Sequence, residues 1–224
     1  MADISTILAM SEQVTIMDQR LVGQTISRNQ RISTAEIVTV IPFQFTFKPN
    51  SYQLYSQNRN LLANLRYYDK SLEQYLNFGS TGWVNYIAYQ GDMTPSQIAS
   101  CQWQTASANK TLVLGNLPSI TSTKYIVKAG DFIQIAGFPY PFTVVNDVQR
   151  GNGSTITVTT HRPNFISSSV QNAGILVGNA VNFKVFCSNM PTYKLIPGAT
   201  SVSGGQVINN AYILLISLKK SILS

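Results

Sequence analysis

The chain has 224 residues, enough for one large or two small domains with a substantial core, and 44% of them are hydrophobic. Only 11% are Asp, Glu, Lys or Arg, less than half of the roughly 25% usual in soluble domains, so Ser, Thr, Asn and Gln fill the polar positions and give a surface that is cheaper to dehydrate against a partner. The net charge of +7 comes from scattered basic residues rather than from the aromatic-interleaved clusters of a nucleic-acid binder, and two cysteines are too few for a disulfide framework.

Residues 1–35 read as an N-terminal arm. Residues 14–22 in it alternate as a strand does, but polar flanks without turn signals leave that strand to fold onto the body or onto a neighbour. The start of the chain carries Asp3 and no long apolar run, unlike a secretory leader, and implies synthesis in the cytosol. No run of about 18 apolar residues marks a transmembrane helix. Residues 36–47 form the strongest strand region. Past Pro42, the rings of Phe43, Phe45 and Phe47 alternate with Gln44 and Thr46 and share one face.

Residues 51–76 carry the one amphipathic helix, with Leu54, Tyr55, Asn58, Leu61, Leu62, Leu65, Tyr68, Leu72 and Leu76 at spacings of three and four. Asp69 and Ser71 are places where it could split. Strands are expected at 84–89, 111–114, 128–135, 141–148, 154–163, 175–177, 182–187, 193–196 and 211–218, with a loop or helix start at 91–96. The expected fold is mainly β, a β-sandwich or barrel with one amphipathic helix covering the sheet and a small inserted antiparallel β unit. The expected division is an arm at 1–35, a main body at 36–104 and 186–224, and an inserted domain at 105–185, with a softer division near 82.

Chemistry finds little support. His161 is the only histidine, and nothing pairs it with a nucleophile. One histidine and two isolated cysteines, Cys101 and Cys187 in apolar contexts, do not make a zinc site and read as free buried thiols. No Asp-x-Asp calcium loop exists. Asp131 and Asp147 could be the carboxylate pair of a glycosidase, but each sits where a turn aspartate bonds its own backbone. Gly151-Asn-Gly153 is a hairpin turn with no following lysine or helix, so it is not a phosphate loop. No catalytic, cofactor or metal residue is assigned, and no enzyme activity is expected.

Three stretches, Lys128-Ala-Gly-Asp-Phe-Ile-Gln-Ile135, Pro141-Phe-Thr-Val-Val-Asn-Asp-Val148 and Ser154-Thr-Ile-Thr-Val-Thr-Thr-His-Arg-Pro163, follow the aromatic strand and the helix and precede Asn189-Met-Pro-Thr-Tyr-Lys-Leu-Ile-Pro197. In that order, over about residues 36–218, the chain resembles structural proteins of the tail and baseplate of contractile-tailed bacteriophages, including phages of cyanobacteria. The resemblance implies a distal-tail, hub or tube-initiator subunit at the tube–baseplate junction of a virion. Its partners would be itself, in a six-fold ring, and neighbouring tube, hub and baseplate proteins. No membrane is implied, and nucleic acid would be met only in passage through the lumen. Two features depart from the family's pattern: the chain is basic where distal-tail proteins are somewhat acidic, and its ending is Ser/Thr/Asn-rich where theirs is acidic.

Ring subunits bury sheet edges and arms against neighbours. The candidate interface residues are therefore Val14, Ile16, Met17, Arg20 and Leu21 in the arm, and Ile213 and Leu215 in the apolar ending, which reads equally as a central core strand. Removing residues 2–30 is expected to leave a folded monomer. An alternative of another class is a carbohydrate-binding β-sandwich of a tail fibre or spike, which needs exposed rings in a groove. A polysaccharide hydrolase using Asp131 and Asp147 is a third.

Overall fold

The structure is a computed structural model. It describes residues 4–17, 22–36, 43–49, 53–68, 73–79, 82–107, 110–163, 166, 170–203 and 206–222. In chain order the elements are α1 (Ile4–Ala9), β1 (Ser11–Met17), β2 (Val22–Ile26), β3 (Ile32–Glu36), β4 (Gln44–Pro49), β5 (Gln53–Leu54), α2 (Tyr55–Tyr68) and β6 (Gln74–Leu76). Then come α3 (Val84–Ile87), α4 (Pro95–Ser100), β7 (Gln102–Ser107), β8 (Thr111–Gly115), β9 (Tyr125–Val127), β10 (Phe132–Ile135), β11 (Phe142–Thr143), β12 (Val148–Gln149), β13 (Ile156–Thr159) and β14 (Ile175–Val177). A 3-10 turn at Gly178–Ala180 leads to β15 (Phe183–Ser203) and β16 (Gln206–Ile222). The chain is mainly β, in small antiparallel sheets with no closed barrel among the described residues.

The chain divides into two compact units, one of residues 1–19, 42–76 and 184–224 and a second of residues 20–41 and 77–183. The second unit thus begins its main stretch at 77, ahead of the 105 expected for an inserted domain and near the softer division at 82.

The first unit is built on a six-stranded sheet in the order β1-β4-β16-β15-β6, with β5 pairing β16 off that path. The alternation of β4 has the predicted effect: Phe43, Phe45 and Phe47 are buried while Gln44 and Thr46 are only half-buried. The Phe43 and Phe45 rings stack with centroids 6.2 Å apart. Residues 4–17 are part of this sheet unit rather than a detachable arm. Ile7 and Leu8 of α1 are buried, and β1 pairs along β4 from Ser11↔Pro49 to Met17↔Gln44. Removing residues 2–30 would therefore strip two strands, β1 and β2, and the buried Ile7 and Leu8, which corrects the expectation of a folded product. The predicted helix at 51–76 is shorter, because Gln74–Leu76 is a strand beside β15 and Leu76 is buried there. On α2, Asn58 turns its side chain back to the Leu54 carbonyl at 3.0 Å, and Leu62 packs against Met10 and Tyr55.

The second unit carries a core of Met93, Trp103, Leu112, Leu114, Ile126, Ile133, Phe142, Val158 and their neighbours. Three separate ladders surround it: β11-β10-β14, β12-β9 and β13-β8-β7. The three strand patterns at 128–163 do not form one sheet of their own, since β13 pairs β8 while β10 pairs β11 and β14. Val84–Ile87, predicted as the start of a strand, is a single helical turn that closes at Ala88. α4 starts at a capping box, in which Thr94 and Gln97 satisfy each other's backbone N–H and Pro95 needs no donor. β2 and β3 pair with each other from Val22↔Glu36 to Ile26↔Ile32 and, among the described residues, with no third strand.

Candidate functional site: uncovered strands and a groove in the second unit

The residues singled out for chemistry hold structure. Asp131 is buried, and its two carboxylate oxygens accept from the backbone N–H of Gln90 and of Lys128, each at 2.8 Å. Asp147 accepts from the N–H of Ala129 at 2.8 Å. Both aspartates thus tie down the turn before β10, where Gly130 takes φ +93°. Burial pushes the Asp131 carboxyl above the usual range against the opposing pull of those two N–H groups. His161 Nδ1 accepts from the N–H of Thr143 at 2.8 Å, which fixes its ring to the end of β11.

Arg162 lies over the rings of Phe142 and Tyr140 at 4.9 and 5.3 Å and donates from Nη2 to the Pro141 carbonyl at 2.9 Å. Burial pulls it down to about 10. Cys101 is a buried free thiol whose Sγ sits 3.8 Å from Met93 Sδ, and burial pushes its pKa up, the wrong direction for a nucleophile. No group of three His, Cys, Asp or Glu side chains that could hold a metal exists among the described residues. Among them, no helix is long and apolar enough to cross a membrane.

The surfaces are more informative. Val14, Ile16 and Met17 lie on β1, the outer strand of the six-stranded sheet, whose far edge has no partner among the described residues. Val14 and Ile16 are half-buried, and Met17 is 46% exposed. Arg20 and Leu21 lie outside the described residues. Ile213 and Leu215 sit on an interior strand: Ile213 pairs Leu195 on one side and Gln53 on the other, and Leu215 pairs Tyr193. Towards its turn, from Gln206 to Ala211, β16 has β15 as its only described partner, so the two strands continue as a ribbon about 20 Å beyond the sheet.

The β2–β3 ribbon is more exposed still. Every side chain from Gln24 to Ser33 is exposed, on both faces. Ile26 and Ile32, which face each other across the ladder, are 73% and 66% exposed. Its turn is closed by the N–H of Gln30 on the Ser27 carbonyl, with Gln30 at φ +57°. Sequence reasoning placed these residues in an arm and missed the hairpin. The signal was there: Ile26 and Ile32 stand symmetrically about Asn29, between two polar alternating runs.

A groove of about 540 Å³ lies in the second unit, and no motif in the sequence pointed to it. β14 and the following 3-10 turn form one wall, Pro95, Ile98 and Ala99 of α4 the other, and Ala88, Tyr89 and Met93 also line it. Tyr89 donates its hydroxyl to the Ile126 carbonyl and accepts from the Met93 N–H, and burial pushes it up to about 12, so its polar end is turned inward. Gly178 lets the chain bend at φ +56° where a Cβ would stand 3.1 Å from the Cβ of Tyr89.

Compared with known proteins, the chain matches no family model and no curated protein.

Proposed function

We propose that this chain is a structural subunit that assembles through strand edges and ribbons, a component of a bacteriophage tail at the tube–baseplate junction that forms a six-fold ring. The β2–β3 ribbon carries this reading. A two-stranded hairpin alone is marginal in water, and one that exposes a facing pair of isoleucines on top of that is stabilised by what it docks against. The open edge of β1 and the extended β15–β16 ribbon add two further strand surfaces of the kind that subunits pair across. The low charge content lowers the cost of burying them. The tail assignment itself rests on the order of motifs from the aromatic strand to residues 189–197.

The reading as a carbohydrate-binding module gains nothing from the groove, whose walls are mainly aliphatic and whose one ring, Tyr89, has its hydroxyl engaged inside. A hydrolase gains nothing from Asp131 and Asp147, which are held by backbone amides.

The test is light scattering of the purified full chain across a concentration series, with electron microscopy of the largest species. Rings or ordered oligomers are expected, and they should be lost when residues 22–36 are replaced by a short Gly-Ser loop in a chain that keeps its far-UV spectrum and melting temperature. A chain that stays monomeric at every concentration, alone and with other tail proteins, would overturn the proposal.

A further inference from the structure

The turn Gly151-Asn152-Gly153 belongs neither to the core nor to the strand surfaces described above. It joins β12 to β13, which pair with β9 and with β8 in two different ladders, so it connects sheets and does not close the hairpin expected from the sequence. All three residues and Ser154 after them are exposed. Asn152 is the one asparagine of the chain that a glycine follows.

Arg150 holds this turn. Its Nε donates to the Pro118 carbonyl at 2.9 Å, and its Nη1 donates to the carbonyls on either side of Asn152, that of Gly153 at 2.7 Å and that of Gly151 at 3.2 Å. The Gly151 N–H donates to the Ser122 carbonyl at 2.9 Å, with Gly151 at φ +57°. An asparagine in a tight turn commonly bonds its own backbone. Here the guanidinium fills that role, and the Asn152 side chain has no hydrogen-bond partner among the described residues. The Gly153 N–H has none there either.

We infer that Asn152 is a site of spontaneous deamidation, which proceeds without an enzyme through a cyclic imide closed by the backbone nitrogen of Gly153. That nitrogen loses its proton to solvent base and bonds to Cγ of Asn152, and the side-chain nitrogen leaves as ammonia. Water then opens the imide. Cleavage of the new bond to Cγ gives aspartate, and cleavage of the original peptide bond gives isoaspartate, whose main chain runs through Cβ and Cγ. The balance is one water in and one ammonia out, with no change of oxidation state.

The turn meets each requirement of the ring closure. The carboxamide is untethered and exposed, the attacking N–H is not held in a bond, and the missing Cβ at Gly153 leaves its nitrogen open to approach. Either product sets a carboxylate beside the Arg150 guanidinium and takes one unit from the net charge of +7. Isoaspartate also adds a methylene to the main chain between the two carbonyls that Arg150 bridges. None of this depends on the assembly reading.

The experiment incubates the full-length chain at neutral and at mildly alkaline pH. The peptide carrying residue 152 is then followed by chromatography and mass spectrometry, with a synthetic peptide of residues 149–155 as the clock for the unrestrained sequence. The expected result is the mass gain of exchanging NH2 for OH at residue 152, ahead of every other asparagine and faster at the higher pH. It should appear as two products of equal mass, of which one is a substrate for an isoaspartyl methyltransferase. Asn152→Gln should lose the gain at this position, because the larger ring closes far more slowly. Gly153→Ala, with its melting temperature checked, should slow it severalfold. A chain that keeps the amide at 152 while the free peptide loses it would overturn the inference, since the turn would then hold the side chain away from the nitrogen. So would a gain that appears first at another asparagine, or aspartate without isoaspartate, which would mean that water attacks the amide directly.

Discussion

Two hairpins of nearly equal length meet opposite fates in this molecule. β7 and β8 pair from Gln102↔Gly115 to Ser107↔Thr111, and β2 and β3 pair from Val22↔Glu36 to Ile26↔Ile32. The first hairpin gains β13 as a third strand and buries Trp103, Leu112 and Leu114 almost completely. The second gains no third strand among the described residues and leaves Ile26 and Ile32 in solvent. Both are antiparallel two-stranded ladders, the first with an irregularity between Trp103 and Thr105, so pairing is not what separates structural strands from available ones. The difference is what each hairpin does with its apolar face, and a hairpin that keeps isoleucines out of every core in its own chain has them free for another.

The sharpest way to break the comparison is at the core of the first hairpin. Trp103→Ala removes the largest buried side chain of the second unit and leaves a cavity among Leu112, Leu114 and Val158. A loss of about 3–5 kcal/mol is expected in urea denaturation. The indole Nε1 has no hydrogen-bond partner among the described residues, so the loss comes from packing, and Trp103→Phe should restore most of it. A Trp103→Ala chain as stable as wild type would mean that this hairpin is no more part of a core than its exposed counterpart.

Next in size is Asp131, the polar group that holds the β10 end of that core in place. Asp131→Ala would leave the half-buried N–H groups of Gln90 and Lys128 without their carboxylate partner, at a cost of about 2–4 kcal/mol. Asparagine does not rescue it fully, because its amide NH2 would face one of the two donors. The charge has its own signature in pH. Burial raises the folded-state pKa of Asp131 above the unfolded value, so the folded chain holds a proton that the unfolded chain has already released. The stability from this group is full below the unfolded carboxylate pKa and is lost as pH rises through the raised folded value. Denaturation midpoints of wild type should therefore fall across that window, and those of Asp131→Asn should fall less. An identical slope in both chains would assign the pH dependence elsewhere.

How much of this was legible in the sequence depended on whether a feature is local. The burial of Phe43, Phe45 and Phe47 follows from alternation alone. The turn role of Asp131 was legible in part, since its bond from the Lys128 N–H is local, whereas its bond from Gln90 and the bond of Asp147 from Ala129 join separate segments and were not the own-backbone bonds expected. Short apolar runs were less decisive. Val84–Ile87 has the composition of a strand but closes into one helical turn, and Gln74–Leu76 continues the helical stripe of α2 yet lies in a sheet. In both cases three or four residues are too few for a period to show, and tertiary partners decide. The groove was invisible because its two walls are about eighty residues apart in the chain. The β2–β3 hairpin was readable as alternation, but its exposure was not, because alternation reports which side chains share a face and not whether anything covers that face.

The smallest expected effect is also the one that most directly separates the two hairpins. At a concentration where the chain is monomeric, Ile26→Ser and Ile32→Ser should each change the unfolding free energy by no more than about 0.5 kcal/mol, since side chains 73% and 66% exposed have little burial to lose. Leu112→Ser and Leu114→Ser, fully buried on β8, should each cost several times more. A large loss at Ile26 or Ile32 in the monomer would mean that the ribbon folds onto its own chain, and its isoleucines would then be core residues rather than contacts held for a partner. A negligible loss would mean that nothing within the monomer requires isoleucine at either position, and the contact that does require it has to come from outside the chain.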